Sequence, residues 1–184
     1  MGKQALDLAL ISRMSSIYNE KEESNLERFL FGELSEKMNL NGELEPDDFF
    51  KICEWKSART KTLVRTNPRE HIQEVTRLAF SSSESLKVPL LCILNGVRIP
   101  TASAILTVWR PTQYTIYDVR IRDAILSVSH HLLTDDAVEA ARSSYSKYLE
   151  VARKIANELN VSLRDLDKTL WTWDKNRGLQ VSQP

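Results

Sequence analysis

Apolar residues recur at helical spacing along nearly the whole chain, and only five glycines in 184 residues interrupt them. A chain punctuated in this way has helix starts and stops but few of the turn residues that hairpin strands require. Leu6, Ala9, Leu10, Met14 and Ile17 mark one helical face, and Leu26, Phe29, Leu30, Leu34 and Met38 mark another over residues 25–38. Asn41-Gly42 reads as a turn, and Pro46 followed by Asp47 and Asp48 as a helix start. Asn67-Pro68-Arg69-Glu70 reads as the next start, with Asn67 as its N-cap. Further helices are expected over residues 84–94, 100–108 and 118–131, and over 135–159 behind a Thr134 cap. A last one starts at the Ser162/Asp165 capping box and stops at Gly178, with a frayed tail beyond Leu179. No alternating series supports a sheet. The expectation is an all-α protein, a single helical unit over residues 1–184 with room for two lobes.

An apolar fraction of 42% beside 27% charged residues is ordinary for a globular protein, and this length buries enough surface for a core without a metal or a disulfide. No apolar run is long enough to span a membrane, and the N-terminus carries no long apolar signal core, so no membrane association and a cytoplasmic location are expected. Cys53 and Cys92 stand apart from one another and from any ligand cluster. His71, His130 and His131 lack metal-ligand spacing with suitable partners, so neither metal nor cofactor is expected.

The formal net charge of zero argues against a nucleic-acid partner, but the charges are segregated. Residues 55–69, WKSARTKTLVRTNPR, carry Lys56, Arg59, Lys61, Arg65 and Arg69 and no acid. Residues 98–122 carry Arg98, Arg110, Arg120 and Arg122 against only Asp118, while acids concentrate over residues 20–48. Such a pattern gives one basic face or two unrelated solvated loops.

Within residues 90–108, Leu94-Asn95-Gly96-Val97-Arg98-Ile99-Pro100-Thr101-Ala102 reads as a helix, a tight turn and a departing helix. Gly96 supplies backbone freedom for the turn, and Val97 plugs the hairpin. Ala102, Ser103 and Ala104 allow close packing on the preceding helix. The start of the second helix offers unpaired N–H groups and a positive dipole end, a seat for a DNA phosphate.

These residues resemble the hairpin of the helix-hairpin-helix DNA glycosylase superfamily, the endonuclease III-like enzymes, with its pattern L-P-G-V-G-x-K-T-A. A loop of similar length then leads to Tyr117-Asp118-Val119-Arg120, which puts Asp118 at that family's catalytic aspartate. The chain also looks like a subset of uncharacterised bacterial proteins that combine such a hairpin with a Trp-Lys-Ser-x-Arg segment, here Trp55-Lys56-Ser57-Ala58-Arg59. Two departures matter. The family's Schiff-base lysine position is Pro100, which removes a lyase step by an amine there, and the second glycine is Arg98. The four-cysteine iron–sulfur cluster is absent as well.

The resemblance implies a monofunctional DNA glycosylase, a hydrolase of base excision repair acting on a damaged or modified base in double-stranded DNA. Asp118 would stabilise the oxocarbenium-like charge at C1′ and orient water after the nucleotide leaves the stack. Gly96, Val97, Arg98, Thr101, Lys56, Arg59 and Arg120 are the candidate DNA contacts. Trp55, Tyr114 and Tyr117 are the candidates to line a base pocket. Each also has a plainer reading. Asp118 before Val-Arg-Ile is a common helix cap, and the aromatic residues are common core filler. Two other functions remain open: a non-catalytic DNA-binding module on the same fold, and a helical protein-interaction domain. Neither the target base nor the oligomeric state is legible.

Overall fold

The computed structural model describes residues 3–180, with side chains through residue 176. In chain order its elements are β1 (Gln4–Ala5), α1 (Leu8–Lys21), α2 (Asn25–Phe29), a π-helical turn (Leu30–Leu34), α3 (Ser35–Asn41) and α4 (Pro46–Lys56). A 3-10 turn (Ala58–Thr60) then leads to α5 (Lys61–Val64), α6 (Arg69–Ser81), α7 (Glu84–Leu91) and α8 (Ile99–Trp109). The remainder is α9 (Val119–Ser127), β2 (Val128–Ser129), α10 (Asp135–Ser143), α11 (Tyr145–Glu158) and α12 (Leu163–Gln180). The protein is all-α apart from one two-residue parallel pairing. The chain divides into two compact units, a central one over Ser24–Tyr114 and a terminal one over residues 3–23 and 115–180.

The central unit is organised around α8, whose residues from Thr101 to Trp109 are all buried. A helix apolar on every side belongs in the middle of a core. It packs against α3, α4, α7 and the π-helical turn. Two of its buried hydroxyls bond within the helix, Ser103 to the Pro100 carbonyl at 3.0 Å and Thr107 to the Ser103 carbonyl at 2.7 Å. The face predicted over residues 25–38 runs through α2, the π-helical turn and α3. Gly42, at φ +69°, ends α3 in the left-handed conformation expected of a glycine cap. The helix expected to reach Leu94 stops at Leu91, two residues past Pro89. It tightens into i→i+3 bonds from Ile93 to Leu90 and from Leu94 to Leu91.

In the terminal unit α12 packs on α1, α9 and α11. Its seam with α1 is partly polar. The buried Lys168 ammonium donates to Asn19 at 2.7 Å and Glu23 at 3.0 Å, and Arg164 reaches the Tyr18 hydroxyl at 3.1 Å while pairing with Asp167. The caps expected at Thr134 and Ser162 form, accepting from Ala137 and Asp165 at 3.2 and 3.0 Å.

Three expectations need correction in this unit. The helix from Asp118 ends at Ser127 instead of residue 131, because Val128 turns extended to pair with Gln4 in the short β1–β2 ladder. The long helix over 135–159 is two helices, broken where Ser144 is extended. The Tyr117 hydroxyl lies 2.7 and 2.6 Å from the Ala141 and Arg142 carbonyls there, replacing bonds that a continuing helix would supply. α12 runs through Gly178 to Gln180, since a glycine weakens a helix interior without having to end it. From residue 181 the expected fraying lies outside the described residues.

Candidate nucleic-acid interface

In the central unit, residues 92–98 connect α7 to α8 through a tight turn whose pivot is Gly96 at φ +80°. Two constraints demand glycine there. The left-handed backbone disfavours a side chain, and a Cβ would lie 2.7 Å from Val64 Cγ1 and 3.1 Å from the Val64 nitrogen. The turn is therefore seated on α5, the middle of the basic segment. Val97, 1% exposed, plugs the core beside it as expected. Arg98 is the N-cap residue of α8 and makes no side-chain capping bond; Pro100 carries no N–H, and the Thr101 and Ala102 N–H groups both reach the Arg98 carbonyl, at 2.9 and 2.8 Å.

Asn67 joins the two segments. Its Nδ2 donates to the Val64 carbonyl at 2.8 Å and to the Asn95 carbonyl at 3.0 Å, and its Oδ1 accepts from the Asn95 N–H at 2.8 Å. Asn95 Nδ2 in turn donates to Thr66 Oγ1 at 3.2 Å. The cap assigned to Asn67 in the sequence is not made; Pro68 occupies that position, and the asparagine bonds across to the turn.

The basic segment, which contains no acid of its own, meets acids from α4. Lys61 and Arg65 pair with Glu54 at 3.3 and 2.6 Å, and Arg69 forms a bidentate pair with Asp47 at 2.9 and 3.1 Å. The Arg65 and Arg69 bonds hold the Glu54 and Asp47 carboxyls below the usual range. Exposed pairs of this kind are screened by solvent and contribute little, so a phosphate competes with them. Arg59 and Arg98 are exposed and have no acidic partner among the described residues. Arg110 lies 4.2 Å over the Trp109 ring and donates to Asn39 at 3.3 Å. Lys56 is half-buried at the end of α4, and the half-buried Trp55 sets its ring edge-on to Phe31 at 5.7 Å.

Other predicted contacts fall elsewhere. Thr101 is 4% exposed and packs inside the unit. Tyr114, 3% exposed, stacks on Trp109 at 6.1 Å, the outer ring of a series that continues to Phe80 at 4.4 Å. In the terminal unit Tyr117 is buried with its hydroxyl on the end of α10, so both tyrosines have core roles. Arg120 is paired with Asp174 at 3.3 Å and lies 5.6 Å from the Trp171 ring. A cavity in this unit is lined by apolar side chains such as Leu6, Ile125, Ile155 and Leu170 and by Tyr148.

Asp118 caps α9. Its Oδ1 accepts from the Ile121 N–H at 3.1 Å from an extended backbone, and the residue is half-buried. Its charge acts on the deeply buried Tyr148 phenol, whose pKa is pushed up by burial first, then by Asp167, Tyr145 and Asp118. The asparagine pair is the element that sequence reasoning missed. Asn67 looked like a cap because Pro68 follows it, and nothing local to Asn95 announces a partner in a distant helix connection. Among the described residues, no helix is long and apolar enough to cross a membrane. Comparison with family models, curated proteins and solved structures finds no match.

Proposed function

We propose that the central unit binds the phosphate backbone of double-stranded DNA, using the Gly96 turn as a helix-hairpin-helix element and the basic segment beside it. The observation that supports this most is the Asn67 clamp on Asn95. It holds the turn before α8 against α5 and the acid-free segment, so the exposed Arg98 at the start of α8 belongs to the same unit as the exposed Arg59 that precedes α5. Contacts of this kind bind DNA in a salt-sensitive and sequence-tolerant way. Fluorescence anisotropy of a labelled duplex across a salt series tests it. Binding that weakens steeply with salt and ignores sequence is expected, and no binding at low salt would leave a protein-interaction domain as the better account.

A second reading adds chemistry in the terminal unit. The resemblance to the helix-hairpin-helix glycosylases assigns base hydrolysis to Asp118, and its support is a half-buried carboxylate fixed by one amide at a helix start. There the carboxylate stabilises developing positive charge at C1′ while water adds to that carbon. The N-glycosidic bond breaks, and the free base and an abasic site are the products. Pro100 offers no amine, so no strand cleavage by a lysine at that position accompanies it. A panel of duplexes with modified bases, scored for free base with Asp118→Asn as control, tests this step.

A further inference from the structure

His130 and His131 follow β2 on the way into α10, and their rings stack with centroids 4.5 Å apart and planes inclined by 28°. Glu158, the last residue of α11, reaches both. Its Oε2 lies 3.0 Å from His131 Nε2 and its Oε1 lies 3.7 Å from His130 Nε2. One ligand atom from each of the three residues lies within 4.8 Å of the others.

We propose that His130, His131 and Glu158 form a zinc site with three protein ligands and a fourth position open to water. Two ligands held at about 2.1 Å in a tetrahedron are roughly 3.4 Å apart, and the observed 3.0 and 3.7 Å separations run to the two different oxygens of Glu158, so its exposed carboxylate turns to offer one of them to the ion. Two imidazoles with one carboxylate suit zinc, whereas calcium and magnesium prefer oxygen throughout. The His130 side chain is only 6% exposed and gives the site a fixed ligand. His131 at 66% and Glu158 at 43% are free to close on an ion and leave it accessible to solvent. Binding at His130 Nε2 puts the ring proton on Nδ1, which gives up a contact of 3.3 Å from the Leu132 N–H. That contact is long for a hydrogen bond, so its loss weakens the site without abolishing it.

The test uses the full chain without added histidines, stripped with a chelator and titrated with Zn2+ by calorimetry at pH 7.4. One saturable site is expected, with affinity weakened at least about tenfold in His131→Ala and in Glu158→Gln. His71→Ala, in the other unit, should bind as the parent does. Both ligand variants alter exposed side chains and should fold as the parent does, which circular dichroism checks. At a hundredfold excess over the parent Kd, zinc should also raise the parent Tm by about 5 °C or more and that of His131→Ala by about half as much or less. No saturable binding, or affinity in the two ligand variants equal to the parent's, overturns the proposal.

Discussion

Asn67 grips the backbone of Asn95 from both sides, donating to its carbonyl at 3.0 Å and accepting from its N–H at 2.8 Å. A single side chain, 5% exposed, thus fixes the turn before α8 to the connection before α6. Replacing Asn67 by Ala strands the Asn95 N–H and removes a donor from two carbonyls. A loss of about 1–3 kcal/mol is expected in urea unfolding. Asn67→Asp should fail to rescue it, because the carboxylate cannot donate to Val64 and Asn95.

Gly96 is constrained by both conformation and space. Gly96→Ala should destabilise the protein by about 1–3 kcal/mol, combining left-handed strain with the contact on Val64. Val64→Ala removes the Cγ1 contact but also empties buried core space, so the Gly96→Ala/Val64→Ala double variant should be no more stable than Gly96→Ala while losing less than the sum of the two single losses. A double-mutant cycle in urea separates the two parts.

His130 predicts the pH dependence of the terminal unit. Burial lowers its folded pKa below the unfolded value near 6.5. Above that pH both states hold a neutral ring, and the stability is fully present. As the pH falls through 6.5 the unfolded chain takes up a proton that the folded ring resists, so stability declines until the folded pKa is passed. With chelator present, unfolding between pH 7.5 and 5.5 should show this slope, and His130→Asn should flatten it.

Asp118 can be tested without disturbing its cap. Asparagine caps a helix about as well as aspartate, so Asp118→Asn should keep the parent stability within a few tenths of a kcal/mol. Asp118→Ala should lose about 1 kcal/mol. If Asp118 is catalytic, Asp118→Asn abolishes base release while leaving duplex binding intact. Base release that persists in Asp118→Asn removes Asp118 from the mechanism.

Periodicity made the helices legible because each needs an apolar face, and the Thr134 and Ser162 caps were legible because they act within three residues. Gly96 and the buried Val97 were legible for the same local reason. What escaped depends on distant partners. The Tyr117 hydroxyl splits one expected helix into α10 and α11, and the Gln4–Val128 pairing cuts α9 short. The acid-free segment met Glu54 and Asp47 only once α4 was folded beside it, which reduced five basic residues to fewer unpaired charges. The histidine pair gained its third ligand from the far end of α11.

On the proposed phosphate-binding surface of the clamped turn and the basic segment, Arg59 and Arg98 are exposed and have no acidic partner among the described residues. Duplex binding should be measured from 25 to 200 mM salt for the parent and for Arg59→Ala/Arg98→Ala. The slope of log affinity against log salt should become shallower by about 1.8, roughly 0.9 for each phosphate no longer neutralised, with no change in unfolding free energy. An unchanged slope in a folded double variant would contradict it.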